Sequence, residues 1–286
     1  MPETEFKKYH GLGNDYLVID PAIVPDWKPT TESVRAICDR NYGPGSDGIL
    51  HGPLDDGSGL DLRIYNPDGS EAEKSGNGLR IFAWYLHERG LLPPEGKHLR
   101  TKGGQVVARV LDPECRILEI DMGIPDFKAT IHNLRTTMDE VVGGELEIGG
   151  QRLNVTCVSM GNPHCVVSLP GASEADARLL GPLVETDAFF PEHTNVQFLE
   201  VLSRSTIRIQ IWERGAGYTL ASGSSSCAAA AAARRLALVD DDVTVSMPGG
   251  ELGVTFRDDR AFLVGPVEPV YEGWFCQPLR GRIGLA

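Results

Sequence analysis

Short segments in which apolar and polar residues alternate recur along the chain, and each is bounded by Gly, Pro or Asn. Alternation of this kind over a few residues predicts a half-buried β-strand. Such segments lie at 16–20, 47–51, 60–65, 105–110, 116–120, 154–159, 165–169, 196–202, 206–212, 243–247, 253–256 and 261–264. The pattern therefore predicts a protein rich in strands.

Four longer segments have helical character instead, at 31–41, about 77–90, about 172–180 and 227–238. The second is apolar around much of its circumference, which predicts a buried helix. The fourth contains an unbroken run of alanines at 228–233. Alanine has the highest helix propensity and almost no bulk. We expect a curved sheet to enclose this helix tightly.

Two of these helices begin in nearly the same way, which indicates an internal repeat. Ser75-Gly76 and Ser222-Gly223 each follow an acidic turn that contains Gly, and each leads into an apolar helix. A Gly-Asn pair lies upstream of both, ending at Asn14 and Asn162, at almost the same spacing.

The repeat predicts an α/β protein of two pseudo-symmetric halves that face each other. Each half is expected to be a mostly antiparallel curved sheet wrapped around one central helix. The predicted boundaries are residues 1–128 and 129–270, and residues 271–286 are expected to pack with the first half.

Composition narrows the class of protein. The net charge of −13 argues against a nucleic-acid partner, which requires a basic surface. No apolar run approaches the roughly 18 residues of a membrane span, and the charged start lacks a signal-peptide core. We therefore expect a cytoplasmic protein without a membrane partner. Its six cysteines form no CxxC pair and predict neither a metal site nor disulfides.

Ser-Gly at the start of a helix places a small polar side chain beside unpaired backbone N–H groups. Those donors and the helix dipole favour an anion such as a carboxylate. Each serine alone could simply be an N-cap, but the repetition favours a binding role. Further polar side chains lie in turns between strands and suit the ionic groups of an amino acid. They are Asn14, Asn66, Asn162, His164, Asn195, Glu213 and Arg214.

The motifs around these residues resemble those of diaminopimelate epimerases over nearly the whole chain. They are Gly11-Leu12-Gly13-Asn14-Asp15-Tyr16, Asn66-Pro67-Asp68-Gly69-Ser70-Glu71-Ala72-Glu73, Gly76-Asn77-Gly78, Gly161-Asn162-Pro163-His164 and Trp212-Glu213-Arg214-Gly215-Ala216-Gly217. The resemblance implies two α/β halves with the site in the cleft between them. It also implies a homodimer, no pyridoxal phosphate, metal or other cofactor, and a place in lysine biosynthesis.

The resemblance also implies roles for individual residues. Asn66, Asn162, Asn195 and Arg214 would hold the distal amino-acid end of the substrate. The reacting carboxylate would be held by Asn14 and by the N–H groups around Gly76, Asn77, Gly223 and Ser224. His164 and Glu213 would lie near the reacting centre, with Ser75 and Ser222 at the catalytic positions.

The departures from the family pattern fall where its acid and base are. Family members have Cys at the positions of Ser75 and Ser222, and a serine hydroxyl has a pKa several units above that of a thiol. Lys74 and Tyr218 also depart from the usual residues and are candidate accessory groups. Gly48 occupies a position where some members have Gln.

Three interpretations remain open. The first is an isomerase, an epimerase or racemase that acts at the α-carbon of an amino acid, with Ser75 or Ser222 activated by His164, Glu213 or Lys74. The second is a double-bond isomerase or lyase of the same fold that needs only one base. The third is a non-catalytic amino-acid-binding protein, or an epimerase whose Cys pair was replaced to trap substrate.

Overall fold

The computed structural model describes residues 4–55 and 60–285. The chain forms two compact units, Met1–Ile120 together with Pro266–Ala286, and Asp121–Gly265. We refer to them as the N-terminal and C-terminal units.

In its described residues, the N-terminal unit contains eight strands, the last of which continues into the second unit, and two helices that precede this crossing. The strands are β1 (Phe6–Gly11), β2 (Asn14–Ile19), β3 (Ile49–Asp55), β4 (Leu60–Tyr65), β5 (Glu71–Ala72), β6 (Lys97–Thr101), β7 (Gly104–Asp112) and β8 (Ile117–Gly123). The helices are α1 (Thr31–Cys38), between β2 and β3, and α2 (Gly76–Glu88), between β5 and β6.

The C-terminal unit follows, and the chain then returns to the first unit. Its strands are β9 (Gly144–Ile148), β10 (Gln151–Ser159), β11 (Pro163–Ser168), β12 (Asn195–Ser203), β13 (Thr206–Glu213), β14 (Gly217–Thr219), β15 (Asp242–Met247), β16 (Gly250–Arg257) and β17 (Arg260–Pro266). Its helices are α3 (Glu174–Glu185) and α4 (Gly223–Arg235), and Ala129–His132 forms a short 3₁₀ helix. The final elements are β18 (Glu268–Gly273) and α5 (Gln277–Ile283).

The two units repeat one pairing scheme. In the first, β1–β2, β3–β4, β4–β5, β6–β7 and β7–β8 pair antiparallel, and β2–β3 and β4–β6 pair parallel. In the second, β10–β11, β12–β13, β13–β14, β15–β16 and β16–β17 pair antiparallel, and β11–β12 and β13–β15 pair parallel. The first strand of each scheme gains one antiparallel neighbour, β18 for β1 and β9 for β10. The mixed α/β class is thus confirmed, with strands that are mostly antiparallel.

One helix in each unit is enclosed by strands. Helix α4 packs against β10, β11, β12, β13, β15 and β16, and every residue of it from Ser225 to Ala233 is buried. Helix α2 packs against β1, β2 and β7, and every residue from Gly76 to Leu86 is buried. The small alanine side chains let six strands approach α4, as their volume predicts.

Each unit also carries a second helix that the strands do not enclose. Helix α1 packs against α5, in a core that includes Trp27, Ile37 and Phe275. Helix α3 packs against β12, β13 and β14. The aromatic ring of Trp212 fills the space beside Gly181, where a Cβ atom would come within 2.5 Å of it.

Helix boundaries differ from the sequence-based expectations for identifiable reasons. Helix α1 ends at Cys38 rather than at residue 41, because Asp39 Oδ1 accepts the backbone N–H groups of Asn41 and Tyr42 in a local turn. Helix α3 continues through Pro182 to Glu185, past the predicted end. Helix α4 begins at Gly223, earlier than predicted, because Ser222 caps it.

Among the described residues, no helix is both long enough and apolar enough to cross a membrane.

Candidate active site

Ser75 lies at the N-terminus of the enclosed helix α2. Its backbone is extended, with φ −138° and ψ 117°, and its Oγ accepts the backbone N–H of Gly78 at 3.0 Å. No acidic residue follows in the first turn, so the positive end of the helix dipole is not neutralised by a side chain of its own helix. The N–H groups of Gly76 and Asn77 therefore suit a carboxylate.

A chain of hydrogen bonds fixes Asn14 beside this helix start. The fully buried Arg80 donates to Asn77 Oδ1 at 2.7 Å, and Asn77 Nδ2 donates to Asn14 Oδ1 at 3.0 Å. Asn14 Nδ2 in turn donates to Asp47 Oδ2 at 3.0 Å. Asn14 and Asn77, both predicted carboxylate-binding residues, are thus brought together with Ser75 in what we call the N-terminal cluster.

The series of hydrogen bonds ends at Asp47, and two basic side chains hold Asp47 and the neighbouring Asp15 in place. Arg40 bridges Asp15 at 2.7 Å and Asp47 at 2.6 Å, and Lys8 Nζ lies 2.6 Å from Asp15 Oδ2. Burial raises the pKa of Asp15, but hydrogen bonds from Arg40 and Lys8 outweigh it and lower the pKa to about 2. Burial and then the nearby Asp15 raise the pKa of Asp47. The carboxylate that holds Asn14 is therefore easier to protonate than its neighbour.

Ser222 takes the corresponding position at the start of α4. Its backbone has φ −148° and ψ 127°, close to that of Ser75, and its Oγ accepts the N–H of Ser225 at 3.4 Å. The hydroxyl of Ser226 donates to the carbonyl oxygen of Ser222 at 2.7 Å. The first turn again lacks acidic residues, so Gly223 and Ser224 also present N–H groups to an anion.

His164 is buried near this helix, on β11, and both of its ring nitrogens have partners. Nε2 lies 3.0 Å from Asn162 Oδ1, and Nδ1 lies 3.1 Å from Gln197 Nε2. Burial lowers the pKa of His164 to about 3, so the ring is neutral at pH 7. With the Gln197 amide donating to Nδ1, the proton resides on Nε2 and is donated to Asn162.

Asn195 connects this histidine to the Arg214 turn. It is matched with His164 in the parallel pairing of β11 and β12, and its Nδ2 donates to the carbonyl oxygen of Pro163 at 2.8 Å. Its Oδ1 accepts the backbone N–H of Arg214 at 3.0 Å, and the Arg214 guanidinium donates to the Glu192 carbonyl at 3.2 Å. We use the name C-terminal cluster for the helix start at Ser222 together with Asn162, His164, Asn195 and Arg214.

Glu213 lies at the end of β13. Trp212, the residue before it, faces α3, so alternation along the strand places Glu213 on the opposite face, which packs on α4. Tyr218 is matched with Trp212 and so shares the α3 face. Its hydroxyl donates to Gln210 at 2.9 Å, and Arg178 covers its ring. The structure thus places Tyr218 away from the face that carries Ser222.

Asn66 and Lys74 lie on the segment that leads from β4 to the start of α2. The Asn66 side chain donates to Ser70 Oγ at 3.0 Å, and its backbone N–H bonds to the Ser70 carbonyl, which closes the turn between β4 and β5. Lys74 is half-buried directly before Ser75. The substrate contact expected of Asn66 and the accessory role expected of Lys74 stay predictions.

Two side chains at these helix starts are absent from the site residues predicted from the sequence. Gln197 is fully buried and donates to both His164 and Ser225 Oγ, the latter at 3.0 Å. Its signal is a polar residue within an apolar strand. The hydroxyl of Tyr16 lies 3.1 Å from Ser75 Oγ. Tyr16 ends the motif that begins at Gly11, but it has no predicted role of its own, because an aromatic residue is ordinary in a strand.

No group of three or more His, Cys, Asp or Glu side chains suited to a metal ion occurs in the described part of the chain. Most polar groups at the two helix starts are backbone N–H groups, side-chain amides, hydroxyls and the guanidinium groups of Arg80 and Arg214, which suit an anion better than a cation.

The relatives of a chain with these two capped helix starts show that it is an isomerase of the epimerase type. The diaminopimelate epimerase family model matches residues 6–128 and 156–270. Diaminopimelate epimerase 2 of Nostoc sp. (strain PCC 7120) is 47% identical over 256 residues, 89% of each chain. Diaminopimelate epimerase of Synechococcus sp. (strain JA-3-3Ab) is 40% identical over 285 residues, 96% of this chain and 99% of its own. This chain belongs to the diaminopimelate epimerase family.

Solved structures of low sequence identity share the fold. A probable proline racemase from Agrobacterium radiobacter gives a TM-score of 0.67 at 14% identity, over 96% of this chain and 93% of that one. A hydroxyproline epimerase from Agrobacterium vitis, solved with trans-4-hydroxy-L-proline, gives 0.66 at 15% identity, over 93% and 90%. A methylitaconate-Δ-isomerase gives 0.62 at 13% identity, over 94% of each chain.

Proposed function

We propose that this protein is an epimerase or racemase that acts at the α-carbon of an amino acid related to diaminopimelate, with Ser75 and Ser222 as its proton-transfer groups. The observation that carries the proposal is the equivalence of these two serines. Both cap an enclosed helix, both have the same backbone conformation, and both stand in the same place in the repeated pairing scheme. The relatives at 47% and 40% identity are named diaminopimelate epimerases.

The helix starts supply what α-proton removal requires. Loss of the α-proton places negative charge on the substrate carboxylate, which becomes enolate-like. Backbone N–H groups aimed at that charge stabilise the transition state, commonly by several kcal/mol. Gly76, Asn77, Gly223 and Ser224 would provide these donors, with Asn14 held in place by Asn77 and Asp47.

The remaining polar residues are proposed to bind and orient the substrate. Arg214 is suited to the distal carboxylate of a diaminopimelate-like substrate, because a guanidinium can bind a carboxylate with two hydrogen bonds. Asn66, Asn162 and Asn195 would complete that end. His164 is neutral and bonded through both nitrogens, which supports a role in orienting Asn162. Glu213 would provide a polar contact near the reacting carbon.

A second function is favoured by one specific difference between the serines. Ser75 has a tyrosine hydroxyl at hydrogen-bond distance, whereas the hydrogen bond that reaches Ser222 Oγ comes from the backbone of Ser225. A site in which only one serine has a side-chain hydroxyl to exchange protons with suits a reaction that needs one base, such as double-bond migration. We keep a double-bond isomerase as the alternative.

Several wider properties belong to the same proposal. We propose a cytoplasmic homodimer that needs neither pyridoxal phosphate nor metal and serves lysine biosynthesis. We also propose that residues 1–128 with 271–286, and 129–270, are its two catalytic halves. Size-exclusion chromatography with light scattering checks the dimer, and activity retained after exhaustive chelation checks the metal independence.

The experiment follows α-proton exchange. The protein is incubated in D₂O with LL- and meso-diaminopimelate, lysine, ornithine and arginine, and loss of the Cα–H signal is recorded by ¹H NMR. Exchange with inversion supports the epimerase, and new olefinic signals support the alternative. The matched control is the Ser75→Ala/Ser222→Ala variant, which should bind but not exchange. Binding without any exchange by the unaltered protein would refute both functions.

A further inference from the structure

The strand pairing identifies Tyr16 as the N-terminal counterpart of His164. Tyr16 follows Asn14 by two positions, as His164 follows Asn162. The next residues confirm the match, because the parallel pairs of the two units join Leu17 to Ile49 and Cys165 to Val196. Tyr16 therefore stands where the other unit has a buried histidine beside the helix start.

Tyr16 differs from His164 in reaching the capping serine itself. Its hydroxyl lies 3.1 Å from Ser75 Oγ, and the residue is only 7% exposed. The ring lies here because residue 48 is glycine. A Cβ atom at Gly48 would come within 2.7 Å of Tyr16 Cε1 and 2.5 Å of the Tyr65 carbonyl oxygen. The pairing of the two hydroxyls thus depends on a glycine across the sheet.

The hydrogen-bonding capacity of Ser75 makes this contact a proton path. A hydroxyl has one donor and two acceptor positions. One acceptor position of Ser75 Oγ is taken by the Gly78 N–H. When Tyr16 donates, the Ser75 proton is free to point at a substrate carbon. When Tyr16 is ionised, Ser75 donates to it and presents its remaining lone pair to a Cα–H bond.

A phenol is the better partner for this exchange than a second alcohol. Phenols ionise near pH 10, several units below an aliphatic hydroxyl. A serine that works alone as a base requires a neighbouring group to accept its proton. In the C-terminal cluster that neighbour is missing in the described contacts, since His164 bonds to Asn162 and Gln197 instead.

We propose that Tyr16 is a positioning residue that relays protons through Ser75, so that exchange at the α-carbon is faster for one substrate configuration than for the other. The inference rests on the proposed function. In the forward step the Cα–H bond breaks and its electron pair stays on the substrate. That proton passes to Ser75 Oγ while the Ser75 proton passes to the Tyr16 phenolate, which becomes a neutral phenol. Return of a proton through Ser75 reverses each transfer and gives exchange with retention. For inversion, Ser222 donates its proton to the other face of Cα, and proton exchange with solvent then returns Tyr16 to the phenolate and Ser222 to the hydroxyl.

The test is the variant Tyr16→Phe, which removes only the hydroxyl. We expect kcat for α-proton exchange to fall about 100-fold, the low end of general acid–base effects, with KM changed less than about twofold. Tyr9→Phe is the matched control. Tyr9 bonds to Glu88 at the far end of α2, roughly 20 Å from Ser75 along a helix of this length. It removes a similar hydroxyl hydrogen bond and should leave kcat unchanged.

A pH–rate profile distinguishes proton relay from packing. Unaltered protein should gain rate as pH rises toward the phenol pKa, and Tyr16→Phe should lose this dependence. Replacing Tyr16 with 3-fluorotyrosine, whose phenol is more acidic, should shift this rise in rate to lower pH. A rise that does not shift, or equal decreases of kcat in Tyr16→Phe and Tyr9→Phe, would overturn the relay.

The outcome also separates this inference from the proposed function. Exchange by the unaltered protein at a rate that Tyr16→Phe retains would overturn the relay alone. Exchange by neither protein, with every substrate tried, would overturn the proposed function and the relay together.

Discussion

Ser75 and Ser222 share a backbone position but differ in their side-chain surroundings. Ser75 is half-buried and accepts one strong backbone hydrogen bond beside a tyrosine hydroxyl. Ser222 is buried, and its own hydrogen bond from Ser225 is longer, at 3.4 Å. Because proton transfer depends on the partners of a hydroxyl, two serines at equivalent positions need not be equivalent in chemistry.

Introducing thiols at both serines should accelerate exchange. Ser75→Cys/Ser222→Cys places groups with a pKa near 8.5 at helix N-termini, which lower thiol pKa values further. We expect an increase of about 100-fold or more in α-proton exchange of diaminopimelate at pH 7.5. The NMR exchange assay measures it.

The same variant also tests the tyrosine. With a thiol at position 75, a relay is unnecessary, so adding Tyr16→Phe to Ser75→Cys/Ser222→Cys should change kcat by less than about threefold. A further 100-fold loss would show that Tyr16 acts by packing, and a slower Cys double variant would argue against serine and thiol filling one role.

At the scale of elements, helix α4 shows what the sequence could and could not predict. The alanine run predicts a helix, and its lack of bulk predicts enclosure, and both are found. The first turn is harder to predict, because Gly223, Ser224 and Ser225 have weak helix propensity and suit a loop. They become helical because Ser222 caps them and Gln197, from another strand, bonds to Ser225. The latter contact depends on tertiary structure that a local pattern does not contain.

Enlarging a side chain within α4 should be costly. Ala230 has no exposed surface, so Ala230→Leu must displace neighbouring strands, and we expect a loss of about 1–3 kcal/mol in the free energy of unfolding. Urea denaturation followed by circular dichroism measures it. Ala175→Leu, at an exposed position of α3, is the control and should stay within about 0.5 kcal/mol. Equal stabilities of the two variants would mean that α4 is loosely enclosed.

At the scale of the whole molecule, the repeat is the feature that the sequence predicts best. Two short motifs at matched spacing predict a two-fold arrangement, and one pairing scheme occurs in both units. Several strands give no signal in the sequence, both inside the repeat, such as β1, and outside it. Strand β18 is an example, because Glu268–Gly273 is largely exposed and its partner β1 lies at the other end of the chain. Hydrophobic periodicity reports burial on one face, so an exposed strand escapes it.

Acid should destabilise the protein through two buried histidines, one in each unit. Burial lowers the pKa of His51 to about 4 and that of His164 to about 3, against an ordinary value near 6.5. At pH values between the lowered pKa of each histidine and about 6.5, the unfolded chain binds more protons than the folded protein. Stability therefore rises with pH through this window and is lost as pH falls below about 6.5, by up to about 1.4 kcal/mol per pH unit for each histidine.

His51→Leu isolates one of these contributions. The ring nitrogens of His51 find no hydrogen-bond partner in the described part of the chain, so the substitution should cost little at pH 7.5. It should reduce the slope of stability against pH between 6.5 and 4.5. Urea denaturation at several pH values gives both slopes, and identical slopes in the two proteins would contradict the assignment.

Gly48 has a consequence for how chains of this family diverge. A side chain at this position and the tyrosine ring at position 16 compete for one volume, since even a methyl group would overlap the ring. The two positions cannot drift independently: a lineage that acquires Tyr16 must already lack a side chain at 48, or lose it in the same event. We therefore expect correlated substitution in an alignment of relatives, with an aromatic ring in this orientation at 16 found only where 48 is glycine. If Gly48→Ala occurs first, the alanine Cβ should prevent a tyrosine at position 16 from packing in its present place.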